Sequence, residues 1–388
     1  MLLTNPTIRL LFAGQALYWS CSLIGITLTS LVGLQLAPLN ALATLPLALL
    51  VLGNLLAVQP LSLFMQRYGR RLGLILGAAC GILGGLISAA GAWLADFTLF
   101  CLGALPIGAY QASALYYRFA ALEAVDESRK GRATAYVIGG GLCAALVAPS
   151  LSLWSRNALE TPFVGAYLMI ALLAAIGLLL MSRLQEGGAP PPPRTDRVGA
   201  RSLLSRPLVR AALATTAIGH GLMLLVMNAT PLAMNFCGLP LEASAEVIRW
   251  HMVGMFLPAF IAGPLVDRLG SRRVAVLGGA LLLGSASIAL LGMSTVTFLA
   301  SSFLLGVGWN LMLVAGTTLL GEGHAPEERG QAQGLMELGN SLVAACASFA
   351  SGVLISGIGW NAVNIGMLPL LAFAALMLWP VRRTLVES

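Results

Sequence analysis

Two residue pairs in the second half of the chain have the types and the spacing of a soft-metal site. Met223 and Met227 are four positions apart, and so are His251 and Met255. Residues at i and i+4 share one face of a helix, so each pair would present its two side chains together. Thioether sulfur prefers Cu(I) over Mg²⁺, Ca²⁺ and Mn²⁺, and imidazole accepts copper, zinc and nickel. Neutral ligands offset the desolvation of a cation only in part, so such a site would bind copper moderately and release it.

The helices that carry these pairs would hold them at a similar depth. Met223 lies 13 residues after Arg210, and Met255 lies 12 residues before Asp267. At 1.5 Å per residue, these positions are roughly 20 and 18 Å from the same side. We therefore expect the two pairs to face each other near the middle of a membrane. In the alternative interpretation, the methionines only fill gaps in packing and His251 hydrogen-bonds to a carbonyl.

Composition excludes a single water-soluble globule. The chain has 388 residues, of which 58% are apolar and 10% charged, and its mean hydropathy is +0.88. A soluble domain has about a quarter charged residues. The six cysteines lie in apolar stretches and form no CxxC, so a disulfide scaffold is not expected. The sequence has no GxxxxGK[ST], GxSxG or HExxH motif, so we predict neither an ATP-driven pump nor an enzyme, and no cofactor.

Twelve apolar segments are long enough to cross a membrane. They cover about 9–37, 41–66, 72–95, 98–121, 132–154, 163–182, 209–236, 245–266, 273–293, 295–320, 331–356 and 360–381. The long polar stretch between the sixth and the seventh contains Pro190 to Pro193, which suit a linker better than a helix. These features predict an all-α membrane protein with a six-helix half over 1–182, a cytoplasmic linker over 183–208 and a second half over 209–388.

The distribution of positive charge predicts the orientation. The net charge is +7, and with both termini in the cytoplasm 20 of the 22 Lys and Arg residues fall on the inner side. Only Arg156 and Arg249 remain outside. This is the positive-inside bias of membrane proteins. It accounts for the basic charge without nucleic acid and predicts a multi-pass protein of the bacterial inner membrane with both termini cytoplasmic.

Two short loops repeat at nearly the same distance along the chain. Residues 66–71 after the second span match residues 267–273 after the eighth with an offset of 201. Residues 130–133 match residues 329–332 with an offset of 199. Because both offsets are close to half the chain, the two halves should have similar structures. Paired six-span halves are one architecture of secondary transporters.

The loop at residues 267–273 resembles the signature loop of the major facilitator superfamily. The matching residues are Asp267, Arg268, Gly270, Arg272 and Arg273. The first-half copy keeps Arg67 and Gly69 but has Gln66 in place of the acidic residue. The resemblance implies a twelve-helix secondary transporter, driven by an ion or substrate gradient, that works as a monomer in the lipid bilayer. It also implies that both loops take part in gating.

The two spaced pairs also resemble motifs of the CcoA-type copper importers. In that family, MxxxM and HxxxM motifs on the seventh and eighth spans are linked to copper uptake, and all four residues match here. The resemblance implies import of copper as Cu(I), delivery to an unidentified cytoplasmic acceptor, and support of cbb-type cytochrome c oxidase assembly. Riboflavin importers share a similar HxxxM segment. Accessory candidates are His220, Met234 and Cys237.

Two other transport functions stay open. A carrier of riboflavin or another planar nutrient should line its cavity with aromatic side chains, and the candidates are Trp19, Tyr110, Tyr116, Tyr117 and Trp309. Ala148-Pro149 at the end of the fifth span is a weaker indication of drug efflux. Glu337 in the eleventh span is a candidate for a coupling proton, or else it pairs with a polar neighbour.

Overall fold

The computed structural model describes residues 5–39, 42, 45–185 and 199–379. The first helices in chain order are α1 (Pro6–Leu36), α2 (Leu45–Tyr68), α3 (Arg70–Trp93), α4 (Phe97–Ala114), α5 (Tyr117–Glu123), α6 (Lys130–Ile138), α7 (Gly140–Arg156) and α8 (Val164–Ser182). The others are α9 (Ala200–Ser205), α10 (Pro207–Phe236), α11 (Leu241–Phe256), α12 (Ala259–Leu269), α13 (Ser271–Leu290), α14 (Thr295–Glu322), α15 (Arg329–Ile365) and α16 (Met367–Leu378). The predicted all-α fold is confirmed.

Within the described residues, ten helical segments are long and apolar enough to cross a membrane. The first and eleventh predicted spans correspond to α1 and to the first part of α15. Apolar side chains along the helix surfaces suit contact with lipid: on α3, Leu72, Leu76, Leu83 and Leu86 are all exposed. The predicted linker around Pro190 to Pro193 and both chain termini lie outside the described residues.

Several predicted spans are interrupted. The fourth is divided into α4 and α5, the fifth into α6 and α7, and the eighth into α11 and α12. Pro258 lies at the break in the eighth span, and proline has no N–H to continue the helical hydrogen bonds. Within α15, Gly359 has φ +80° and ψ 175°, so a single residue turns the chain from the eleventh span towards the twelfth. The sequence pattern gave uninterrupted spans because apolar content does not register such local breaks.

Two compact units make up the chain. The first contains residues 1–124 and 140–193, and the second contains residues 125–139 and 194–388. In the first unit, glycines bring helices close together: a Cβ on Gly85 of α3 would lie 2.8 Å from the Ala171 nitrogen of α8. Small residues allow this close packing between membrane helices.

In the second unit, α14 is the most buried of the candidate membrane spans. Every residue from 308 to 320 is buried. Gly306 lets α11 approach, because a Cβ there would lie 2.7 Å from the His251 carbonyl oxygen and 2.8 Å from the Met255 nitrogen. Gly316 of α14 lies against Thr216 of α10. Both helices that carry the predicted ligands therefore pack closely on α14.

Candidate functional site

His251 on α11 is held in one defined tautomer. Its side chain is buried, and Nδ1 lies 2.7 Å from the backbone oxygen of Ser302 on α14. A carbonyl oxygen only accepts hydrogen bonds, so Nδ1 carries the proton and Nε2 bears the lone pair. This Nε2 is buried and has no hydrogen-bond partner among the described residues. It is therefore able to accept a hydrogen bond or to bind a metal ion.

The other three predicted ligands have unequal exposure. Met223 on α10 and Met255 on α11 are buried, whereas Met227 on α10 is partly exposed. Near the Met255 end of α11, the amide of Asn310 on α14 donates to the Met255 carbonyl oxygen at 2.6 Å. This bond supports the helix where the eighth span is interrupted. That the two pairs face each other stays a prediction.

His220 on α10 has the opposite tautomer. The indole nitrogen of Trp309 on α14 donates to its Nδ1 at 3.1 Å. The two rings are 6.1 Å apart at an angle of 37°, and Phe256 packs edge-on against Trp309 at 6.4 Å. His220 is partly exposed, whereas Trp309 and Phe256 are buried. The neighbouring α10, α11 and α14 thus build an aromatic cluster around this histidine.

The two further accessory candidates lie towards the end of α10. Met234 is buried, and its backbone oxygen accepts from the Leu239 nitrogen at 3.0 Å. Cys237 is exposed, and its sulfur lies 3.4 Å from the Met293 sulfur. Among the described residues, no three His, Cys, Asp or Glu side chains converge in a way that could hold a metal ion. A copper site would consequently depend on the thioethers.

The aromatic candidates of the first unit have different roles. The hydroxyl of Tyr116 donates to the Val58 oxygen at 2.7 Å, a structural bond between helices. Tyr110 and Tyr117 are also buried. Trp19 is partly exposed. Trp19 is therefore the accessible candidate of this unit for stacking.

Sequence reasoning missed Tyr18, which contacts one of the first-unit aromatics, and Gln111, which follows Tyr110 on α4. Tyr18 contacts Tyr110 edge-on at 5.8 Å, and Gln111 donates to the Ser22 hydroxyl at 3.4 Å. Polar residues inside the apolar first and fourth spans were the available signal.

The repeated loops have matching backbone conformations. Gly69 has φ 95° and ψ 160°, and Gly270 has φ 82° and ψ 152°. Both lie in a region that is essentially restricted to glycine. The shared glycine is thus required by the turn between two consecutive spans.

Side-chain contacts at these loops are also equivalent in position. After Gly69, Arg70 donates to both carboxylate oxygens of Glu123, at 2.6 and 3.1 Å. After Gly270, the Ser271 hydroxyl donates to Glu322 at 2.6 Å. The loop residues differ by 201 positions and the two acids by 199, which are the offsets of the repeated motifs.

Asp267 is the acidic residue of the second loop, and it binds the N-terminal turn of α6. Its carboxylate accepts from the Gly131 nitrogen at 3.0 Å and from the Arg132 Nε at 2.6 Å. Arg272 donates to the Leu378 oxygen at 2.8 Å. Arg67 lies over the Tyr68 ring, and Arg268 is exposed. A role of these residues in gating stays a prediction.

Glu337 is buried on α15. The Asn340 amide donates to its carboxylate at 3.4 Å. This contact agrees with pairing to a polar neighbour and leaves the coupling role as a prediction.

Similarity to known proteins defines the family. The Major Facilitator Superfamily model matches residues 216–387. The chain is 36% identical to the riboflavin transporter RfnT of Brucella anthropi, over 94% of this chain and 93% of that protein. It is 27% identical to the MFS-type transporter YdeG of Bacillus subtilis, over 89% and 85% of the two chains.

A solved structure shows the same fold. The fucose:proton symporter FucP of E. coli superimposes with a TM-score of 0.77 over 96% of this chain and 97% of its own, at 14% identity. The chain belongs to the major facilitator superfamily, whose members are membrane transporters and not enzymes. Of the two curated relatives, the more similar one is named for riboflavin and not for copper.

Proposed function

We propose that this protein transports riboflavin or a closely related planar heteroaromatic nutrient across the membrane. The observation that carries the proposal is the 36% identity to the riboflavin transporter of Brucella anthropi. That similarity covers 94% of the chain, so it includes both halves. It favours the organic-nutrient alternative over copper import.

The side chains available in each unit suit such a substrate. A site for a small organic molecule combines apolar and aromatic walls with a few oriented polar groups. The first unit offers the partly exposed Trp19 and Gln111, and the second offers His220 beside Trp309. Within each unit, the aromatic side chain can stack on a ring system and the polar side chain can hydrogen-bond to its edge.

Uptake by intact cells tests the proposal. A riboflavin auxotroph that expresses the chain should grow at low external riboflavin and should accumulate radiolabelled riboflavin, whereas cells with the empty vector should not. Excess unlabelled riboflavin should compete. Accumulation no higher than in the vector control would contradict the proposal.

Copper import is the second candidate function, and His251 supports it. Its buried Nε2 has a lone pair and no hydrogen-bond partner among the described residues, and Met255 lies one helical turn further along α11. A carbonyl bond to the other imidazole nitrogen is common for metal-binding histidines. In this alternative, Met223, Met227, His251 and Met255 pass Cu(I) inward, towards cbb-type oxidase assembly.

Replacing Met255 by Leu separates the two candidates. The exchange keeps size and apolarity, so stability should change by less than about 1.5 kcal/mol. A copper carrier should lose most radiocopper uptake and should be inhibited by silver(I), whereas riboflavin uptake should hardly change. Met336→Leu, at another buried methionine, is the matched control. Absence of copper uptake by the wild type would end the copper alternative.

We also propose how the protein sits and works in the membrane. The 20-to-2 distribution of Lys and Arg favours the bacterial inner membrane with both termini cytoplasmic. Labelling that found residues 190–193 outside the cell would contradict this orientation. The superfamily favours a monomer driven by an ion or substrate gradient, for which Glu337 is a candidate proton site.

A further inference from the structure

We infer that His220 recognises the substrate by donating a hydrogen bond from Nε2 to a carbonyl oxygen of the transported ring system. The inference rests on the proposed function and adds a specificity-determining residue to it. Trp309 is the positioning residue that keeps His220 in the donating tautomer.

The tautomer follows from the contact between the two side chains. An indole nitrogen can only donate, and it lies 3.1 Å from the His220 Nδ1. Nδ1 must therefore accept, and the proton of the neutral imidazole is on Nε2. His251 is the reverse, because its Nδ1 donates to the Ser302 oxygen. Of these two histidines in their neutral forms, only His220 carries its proton on Nε2.

Buried groups fix the direction of the imidazole ring. Trp309 is 3% exposed, and Phe256 is fully buried against it. The next residue on α14, Asn310, is bonded to the Met255 carbonyl and so ties α14 to α11 beside Phe256. Since His220 alone is partly exposed in this cluster, it is the member that a substrate can reach.

The accessible polar residues of α10 lie on one side of the helix. With about 100° between successive residues, the partly or fully exposed His220, Met227 and Asn228 lie within an arc of roughly 100°. The partly exposed Leu224 lies on the same arc. Polar and ionisable groups of membrane helices face a cavity or the bundle interior. His220 is thus on the arc suited to a substrate pathway.

A ring carbonyl is the acceptor that this donor fits. The isoalloxazine ring of riboflavin carries two carbonyl oxygens at one edge, and its flat face can stack on aromatic side chains. Thiocarbonyl sulfur is a weaker acceptor than oxygen. Exchanging oxygen for sulfur in the ligand therefore probes the proposed bond without any change in the protein.

The test measures ligand affinity of the purified full chain. Riboflavin fluorescence reports its binding, and 2-thioriboflavin and 4-thioriboflavin compete for the site. With the wild type, one of the two analogues should bind roughly three- to tenfold more weakly than riboflavin, the loss expected for one hydrogen bond. In His220→Asn, which lacks the distal donor, that difference should disappear. In His220→Gln, which keeps a distal N–H, part of the difference should remain.

Substitution of the positioning residue gives a second measurement. Trp309→Phe removes the bond to Nδ1. It should reduce the difference in affinity between riboflavin and the weaker thio analogue by about half. Trp360→Phe is the matched control, because Trp360 is equally buried and donates to the Ala289 oxygen at 3.1 Å. It should leave the difference unchanged. An equal difference in the wild type and His220→Asn, or no difference in the wild type, would overturn the inference.

The tautomer can be checked without any ligand. The chain has only three histidines, so ¹⁵N shifts of labelled imidazoles can be assigned by single substitutions. We expect the proton on Nε2 of His220 and on Nδ1 of His251. A proton on Nδ1 of His220 would overturn the inference even if riboflavin binds. Failure of the wild type to bind riboflavin, with the expected tautomers present, would instead reject the proposed function.

Discussion

The first long helices of the two halves, α1 and α10, begin in the same way although their sequences differ. Pro6 and Pro207 occupy the first turn of α1 and α10, and they are 201 residues apart. In each half, the side chain of the residue before this proline donates to a backbone carbonyl. That carbonyl lies just after the fourth span of the same half. Asn5 donates to the Ala124 oxygen and Arg206 to the Gly323 oxygen, both at 3.4 Å. The internal repeat therefore extends from the sequence motifs to individual hydrogen bonds.

The backbone turns are repeated in the two halves, but the side-chain types at equivalent positions are not. At equivalent positions, the first unit has an Arg70–Glu123 ion pair and the second a Ser271–Glu322 hydrogen bond. All three histidines belong to the second half of the chain. The difference teaches that the repeat specifies turns and helix ends, whereas the groups that could bind a substrate are specific to one half.

The largest expected effect concerns the Arg70–Glu123 ion pair, which has only a neutral-donor hydrogen bond as its counterpart in the second half. Arg70→Met should lower the free energy of unfolding by about 1.5–3 kcal/mol, because it leaves the Glu123 carboxylate without two charged hydrogen bonds. Ser271→Ala should cost only about 0.5–1.5 kcal/mol. Thermal denaturation of purified variants measures both. Equal losses would mean that the charge adds nothing to the repeated contact.

The repeated glycines should respond alike. Gly69→Ala and Gly270→Ala both place a side chain in a glycine-only backbone region, at a cost of about 1–3 kcal/mol each. Gly279→Ala in α13 is the control, because a Cβ there meets nothing within 4 Å. Thermal midpoints of the three variants report the effect. A large loss at only one loop would break the equivalence.

The smallest effect concerns Arg206, whose counterpart Asn5 is uncharged. Arg206 forms an ion pair with Glu328 and lowers the pKa of that carboxyl group. A lowered carboxyl pKa adds stability above the unfolded value of about 4.3, and this stability is lost as the pH falls through the folded value. Because Arg206 is 35% exposed, Glu328→Gln should cost under about 1 kcal/mol at pH 7.

Thermal midpoints at a series of pH values measure this contribution. The difference between the wild type and Glu328→Gln should shrink below about pH 4. Glu127→Gln should have no effect, since the Glu127 side chain is 83% exposed. A difference that stays constant on acidification would exclude the ion pair as its cause.

Much of the fold was predictable because apolar length and repeated loops are local signals. The spans and the shared turns at Gly69 and Gly270 belong to this class. The contact between His220 and Trp309 was not predictable, since it joins residues 89 positions apart. A membrane helix is apolar on most of its surface, so its pattern does not indicate which face meets which neighbour.

The four spaced Met and His residues were not enough to predict the substrate class. The HxxxM segment with His251 and Met255 suits copper by its chemistry, but its resemblance extends to riboflavin importers. Neither histidine tautomer was predictable from the sequence, because the tautomer depends on the group that contacts the other ring nitrogen. Similarity along the whole chain favours the organic substrate.

The turn at Gly359 has a consequence for biogenesis. A single residue with a glycine-only conformation joins the eleventh and twelfth spans, so no polar loop separates them. We expect such a pair to insert into the membrane as one helical hairpin, because no soluble segment separates the two helices. We expect a side chain at position 359 to reduce the amount of protein that reaches the membrane more than the activity of the molecules that do.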